Sequence, residues 1–301
     1  MKERFLVRTA DQADFVLPKA FESISKGFSR WTIVNGESGS VHQEFNICEL
    51  EPGGQVDTHL HTFEESVYVL EGELICETGD GSFALEKGDY GLIHVGAAHG
   101  YKNRGASKVR WVEMLAPQPR LWKDGDVFPV KGRVEQVGEP IKVNPRDTRT
   151  RFFGNITDQH MDPGKQSQEL LAVSGSMRTA LLVYTGITVK MMVDSDLGAH
   201  LHTMFMVKYI PGGGAGSHDH PFEETYMILD GEVEAWFDNQ TFTLKPGDVA
   251  WAGVGCVHGF KNKTNTTVQW LETSAPQSPS RHAYRFGRDW DYFEEQLKNE
   301  K

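Results

Sequence analysis

His59-Leu60-His61-Thr62-Phe63-Glu64-Glu65-Ser66-Val67-Tyr68-Val69-Leu70-Glu71-Gly72 is the stretch whose reading decides the fold. Two histidines one residue apart project from the same face of an extended strand, because strand side chains alternate with a period of two. Glu65 shares their parity, so a short bend after His61 brings its carboxylate to the same point. Downstream, the segment from Gly88 to Asn103 offers a fourth candidate, His99. Three imidazoles and a carboxylate converging from strands predict a metal site inside a β-structure.

The stretch occurs twice. At an offset of 159 residues His59, His61, Glu65 and Gly72 become His218, His220, Glu224 and Gly231, and Gly88, Gly96, His99 and Asn103 become Gly247, Gly255, His258 and Asn262. Pro52-Gly53, Trp111, Glu113 and Ala116-Pro117-Gln118 also repeat, with no gap between Gly39 and Gln118. Turns, ligands and core residues recurring together indicate a duplicated domain. Around the motifs, short apolar or alternating runs (Trp31–Val34, Phe45–Leu50, Ser66–Leu70, Leu74–Glu77, Val109–Leu115) are punctuated by Gly, Asp and Pro, which predicts an all-β barrel or sandwich. The expected boundary falls in the Gly-, Pro- and charge-rich segment from Pro119 to about Pro145, giving domains 1–135 and 136–301. Strands are expected at 177–184 and 187–193, a short helix at 166–174, and a strand followed by a helical turn in the aromatic tail from Arg281 to Glu295.

Composition narrows the function. The 301 residues suffice for well-buried cores, and a net charge of −11 works against phosphate backbones and anionic membranes. Nucleic acid and membrane are therefore not expected partners. Three widely spaced cysteines in apolar runs make no disulfide framework, and the first residues lack the apolar core of a signal peptide, so a cytoplasmic location is expected.

Gly53-x5-His59-x-His61-x3-Glu65-x6-Gly72 followed by Gly88-x7-Gly96-x2-His99-x3-Asn103 resembles the two signature motifs of the cupin superfamily, and the second copy has the same spacing. The whole chain resembles a bicupin; it departs from the pattern where the second motif's usual proline is His94 or Gly253. The resemblance implies two tandem jelly-roll-like β-barrels with a few short helices. It also implies up to one divalent transition metal per barrel, held by His59, His61, Glu65 and His99 in the first and His218, His220, Glu224 and His258 in the second. A mixed imidazole and carboxylate set favours Mn or Fe, with Ni, Co, Cu and Zn also accommodated, and leaves coordination positions open.

The function expected is that of a metal-dependent enzyme on a small polar or aromatic metabolite, of the dioxygenase-type oxidoreductase kind, with Glu65 or Glu224 acting both as ligand and as proton acceptor. A hydrolase or aminohydrolase, a lyase or an isomerase of the bicupin type is the alternative, and a non-catalytic metal- or small-molecule-binding module a further one. No arginine stands in Gln55–Thr58 or Gly214–Ser217, before the histidines, which counts against an oxalate-type reaction. By parity, Phe45, Ile47, Met204 and Met206 are expected to line the two cavities. His200 and His202 either line the second pocket or lie at an exposed edge. Glu64 and Glu223 either orient their neighbouring ligands or are solvated surface groups. Exposed sheet edges and the N-terminal arm make a homo-oligomer the expected assembly.

Overall fold

The computed structural model describes residues 4–120, 125–132, 138–162, 185–277 and 285–286. Strand β1 (Phe5–Arg8) opens the chain, and the first copy follows as β2 (Ser25–Val34), β3 (Glu44–His61), β4 (Glu64–Glu71), β5 (Glu73–Thr78), β6 (Gly81–Glu86), β7 (Asp89–Ile93), β8 (His99–Lys102) and β9 (Val109–Ala116). After the short β10 (Val127–Pro129), β11 (Ile141–Lys142) and β12 (Phe153–Asn155), the second copy repeats the plan. Its strands are β13 (Thr185–Val193), β14 (Thr203–Asp219), β15 (Glu223–Asp230), β16 (Val233–Phe237), β17 (Gln240–Leu244), β18 (Val249–Ala252), β19 (His258–Lys261) and β20 (Val268–Ala275), with β21 (Arg285–Phe286) added to β14. Helix among the described residues is limited to three-residue 3-10 turns such as Lys19–Phe21, and none is long and apolar enough to cross a membrane. The expected strand at 177–184, the helix at 166–174 and most of the tail lie outside the described residues.

Each copy curls into a barrel with the same strand order: β6-β5-β8-β3-β9-β4-β7 in the first and β17-β16-β19-β14-β20-β15-β18 in the second. One long bent strand closes each. In the first copy, Glu44–Leu50 pairs with β9, and Gln55–His59 pairs with β8. The turn between these halves rests on glycine: Gly53 has φ +68, and a Cβ on Gly54 would come within 2.7 Å of the Glu51 carbonyl oxygen. Gly212 (φ +77) and Gly213 do the same in the second copy, so the glycine-rich Pro211–Gly216 run is a bend within β14.

Between Val56 and His59 the register with β8 slips, since Val56 faces Tyr101 while His59 faces His99. Three residues on β3 span two on β8, which is a β-bulge. Ala215 and His218 repeat it against Phe260 and His258. A bulge reverses which parity points inward. Upstream of it, the inward residues are Cys48 and Leu50 in the first core, with Val207 and Tyr209 in the second. Phe45, Ile47, Met204 and Met206 are buried but belong to neither of these barrel cores, so the parity expectation fails there for a physical reason.

The chain forms two compact units, one of residues 13–157 with 192–203, the other of 1–12, 158–191 and 204–301. This differs from a division at 135/136. Residues 1–12 group with the second barrel because β1 pairs with β18, Phe5 is buried against the Phe237 ring at 5.9 Å, and Arg4 binds Asp238 at 2.9 Å. β12 holds the equivalent edge place beside β7 in the first barrel. All three cysteines are buried and free.

Candidate metal centres

Each barrel gathers its four candidate ligands from three strands. In the first, His59 and His61 end β3, Glu65 lies on β4 and His99 opens β8; in the second, His218 lies on β14, His220 just beyond it, Glu224 on β15 and His258 on β19. All eight are buried, at 5% exposure or less. Ligand atoms of His218, His220, Glu224 and His258 lie within 4.8 Å of one another, as do those of His61, Glu65 and His99. His59 falls outside that tighter group, but its ring is placed as its counterpart's is. Ring centroids are 4.3 Å apart for both His59–His99 and His218–His258, and 6.2 and 6.0 Å apart for His59–His61 and His218–His220.

The six imidazoles share one hydrogen-bonding pattern. Nδ1 of His59, His61 and His99 lies 2.9, 2.6 and 3.0 Å from the backbone carbonyl oxygens of Asp57, Phe63 and Ala97. Nδ1 of His218, His220 and His258 lies 2.8, 2.8 and 3.0 Å from those of Gly216, Phe222 and Cys256. A carbonyl oxygen only accepts, so Nδ1 carries the proton in each ring and Nε2 presents a lone pair. Those lone pairs meet a carboxylate: Nε2 of His61 and His99 stand 3.0 and 3.3 Å from Glu65 Oε2, and Nε2 of His220 and His258 stand 2.8 and 3.4 Å from Glu224 Oε2.

Protonation states agree. Burial, with His99 beside it, pushes His59 down to about 3; burial also lowers His61, and holds His218 well below the usual imidazole range. Burial alone would raise Glu65, but the His61 and His99 rings against it hold it well below the usual carboxylate range; His220 has the corresponding effect on Glu224. Imidazoles that resist protonation, as His59, His61 and His218 do, and an ionised carboxylate are acceptors facing one another, an arrangement that a cation between them stabilises. The residues present therefore fit a divalent metal.

A tyrosine hydroxyl bonds each carboxylate. Tyr101 Oη donates to Glu65 Oε1 at 2.6 Å, and Tyr226 Oη donates to Glu224 Oε2 at 2.6 Å. They come from different strands, β8 and β15, and the equivalent positions carry Phe260 and Val67. Identity at matched positions of the two copies does not reveal a function exchanged between strands.

A second group missed in the sequence is an arginine in the first cavity. Arg30 pairs with inward-facing Cys48, and with Phe21, Phe28, Val56, Tyr101 and Glu113 it lines a cavity that also contains His59, His61 and Glu65. Its Nη2 donates to Glu113 Oε2 at 2.6 Å, and its guanidinium lies 4.8 Å from the Phe21 ring. Burial raises Glu113 to about 7, and Arg30 offsets that only in part. The absence of arginine just before the histidines thus does not make the first cavity free of one. Arg30 comes from β2, 29 positions ahead of His59.

The neighbouring carboxylate Glu64 is buried at 2% exposure rather than solvated. It faces away from Glu65 and accepts from the backbone N–H groups of His200 and Leu201 at 2.9 Å each. His202 is fully buried in this first unit, with Nδ1 3.3 Å from Glu64 Oε2 and Nε2 against Ser66 Oγ. His202 therefore neither lines the second pocket nor lies at an exposed edge. The exposed His200 uses its backbone here. Glu223 is likewise buried.

A cupin-domain model matches residues 46–115 and 205–274. The polyketide synthase CurC of Streptomyces cyaneus is 33% identical over 88 residues, and the match spans 28% of this chain and 56% of that protein. Among solved structures, an oxalate decarboxylase of Lactobacillus farciminis in a formate complex superposes with a TM-score of 0.61 at 15% identity, over 96% of this chain and 90% of its own. A salicylate 1,2-dioxygenase of Pseudoaminobacter salicylatoxidans with gentisate gives 0.64 at 15% identity, over 91% and 81%. An oxalate decarboxylase mutant of Bacillus subtilis gives 0.62 at 14%, over 97% and 84%.

Proposed function

We propose, for a chain that is a bicupin of the cupin superfamily, that it is a metal-dependent enzyme acting on a small polar or aromatic metabolite by a dioxygenase-type oxidation. The observation that carries this reading is the convergence of Nε2 lone pairs and one carboxylate in each barrel, with Nδ1 tied to the backbone in all six histidines. A divalent metal held by His59, His61, Glu65 and His99, or by His218, His220, Glu224 and His258, would supply open coordination positions and redox or Lewis-acid chemistry; Mn or Fe suits the donor set best.

The protein's own groups orient and move protons. The Nδ1 bonds fix each ring, and the barrel walls exclude bulk water from ligands that are 5% exposed or less. Glu65 and Glu224 are the proton acceptors: each is ionised, and its tyrosine can shift a hydrogen bond when the carboxylate takes a substrate proton. The salicylate 1,2-dioxygenase likeness is in keeping with oxidation, while the oxalate decarboxylase likeness keeps a lyase as the alternative.

The test is oxygen uptake by protein loaded with Fe(II) or Mn(II) and offered diketones, flavonols and phenols. Uptake abolished by Glu65→Gln or Glu224→Gln is expected. Absence of uptake with every metal and substrate, together with product formation without oxygen, would replace the oxidative reading with the lyase or hydrolase one.

A further inference from the structure

The two tyrosines meet their carboxylates differently. In the first barrel Tyr101 Oη donates to Glu65 Oε1, while His61 and His99 meet the other oxygen, Oε2. In the second, Tyr226 Oη lies 2.6 Å from Glu224 Oε2 and 2.9 Å from His258 Nε2. Both of these are candidate ligand atoms, and Oε2 is the oxygen that His220 and His258 also face, at 2.8 and 3.4 Å. The Tyr226 oxygen therefore stands among the atoms that would hold a metal. Donors bound at right angles to one transition metal, each at about 2.1 Å, stand about 3 Å apart, which is the spacing Tyr226 Oη keeps to its two neighbours.

One hydroxyl proton cannot serve both neighbours. Nδ1 of His258 is bonded to the Cys256 carbonyl oxygen, so its Nε2 offers a lone pair, as Glu224 Oε2 does. Donation to either one leaves Tyr226 Oη facing the other lone pair to lone pair, and a cation shared by all three atoms removes that conflict. Packing does not call for the hydroxyl. The equivalent position in the first barrel is Val67, a member of its apolar core, and the Tyr226 ring lies 4.7 and 6.1 Å from the rings of Phe260 and Phe237 in the second core. Tyr226 is 1% exposed and follows Glu224 by two on β15, so strand alternation places both side chains on one face and turns the buried phenol oxygen to the ligand cluster.

We infer that Tyr226 is a fifth protein ligand of the second metal centre, one that the first centre lacks. This rests on the metal-centre reading and adds to its donor set. The bond forms between Tyr226 Oη and the ion, and the hydroxyl proton is released to the buffer, since a ligand group binds metal in its deprotonated form. Two anionic oxygens, from Glu224 and Tyr226, suit a trivalent ion such as Fe(III) better than the single carboxylate of the first centre does, and they leave one coordination position fewer for an outside molecule. The two centres thus differ in preferred oxidation state and in openness although their histidines and glutamates match.

The experiment loads the full-length protein with Fe(II) under nitrogen, oxidises it with ferricyanide, removes the oxidant by gel filtration, and records visible absorption and resonance Raman spectra beside the iron content. A phenolate bound to Fe(III) gives a visible charge-transfer band and enhanced tyrosine ring vibrations; a tyrosine that only hydrogen-bonds to a ligand gives neither. The band is expected in the native protein, in Tyr101→Phe, and in His99→Ala, whose iron is confined to the second barrel. Tyr226→Phe, loaded with excess iron, should lose it. Ring-deuterated tyrosine should shift the enhanced vibrations in the native protein and in Tyr101→Phe, which keeps the test decisive if Tyr226→Phe does not fold. Iron held by His99→Ala without the band, or a band that survives Tyr226→Phe, would overturn the inference and leave the metal centre standing. A His99→Ala protein that binds no iron would overturn both.

Discussion

Replacing Arg30 with Met should unbalance the first barrel in a pH-dependent way. Arg30 and Glu113 are 10% and 3% exposed in their side chains and 2.6 Å apart. Removing one member of a buried pair costs up to about 3–5 kcal/mol where the other charge stays ionised in the interior, and less where it takes up a proton instead. Loss of the guanidinium from the faces of Phe21 and Phe28, at 4.8 and 5.6 Å, adds about 1 kcal/mol.

The sign with pH follows from Glu113, raised by burial from an ordinary 4.5 to about 7. A group raised on folding contributes stability that is complete below its unfolded value and is lost as pH rises through the folded one. Without Arg30 the folded value moves higher still, so the variant keeps a neutral carboxyl to higher pH and loses more above it. The cost of Arg30→Met should therefore be near 1 kcal/mol at pH 5 and about 2–2.5 kcal/mol at pH 8, since native Glu113 gives up its proton over only the one unit above about 7 and a tenfold change in proton affinity is worth about 1.4 kcal/mol. Urea unfolding at the two pH values, followed by tryptophan fluorescence, reads this, since Trp111 lies in the first core and donates to Glu113 at 3.2 Å. Adding Glu113→Gln should restore all but about 1 kcal/mol at pH 8. A cost equal at both pH values, or below about 1 kcal/mol at pH 8, would refute the reasoning.

His99→Ala and His258→Ala should each lower bound metal from two per chain towards one, measured by elemental analysis, and the double variant should retain none. Tyr101→Phe and Tyr226→Phe, which remove the hydroxyl donors to Glu65 and Glu224, should weaken metal binding about 10–100-fold in their own barrel alone, read by chelator competition. His202→Ala should cost about 2–4 kcal/mol in the unfolding of the first unit, since it opens a hole in a fully buried site and removes a partner of Glu64 and Ser66. Metal content should be unchanged by it.

The candidate ligands were legible because metal chemistry needs particular residue types at fixed spacing, and because the duplication displayed His59, His61, Glu65 and His99 a second time at one offset. The all-β class was legible from short runs and turns for a similar reason, as pattern and punctuation are local. Neighbours beyond the strand were not. Glu64 reads as a surface carboxylate until the backbone of His200 and Leu201 is laid against it. The exchange of Tyr101 with Tyr226 is hidden because hydroxyls from different strands reach the corresponding carboxylate.

The sequence by itself determined the duplicated set of candidate ligands and the strand-rich barrels. Tertiary structure alone decided what stands around that set. The bulge between Val56 and His59 inserts one residue, so counting by twos from the histidines gives the wrong face for everything upstream. Cys48 points into the core instead of Ile47, and Arg30, paired with Cys48 across β2 and β3, lines the cavity. Strand periodicity is a local property, whereas a bulge is defined by the register with another strand.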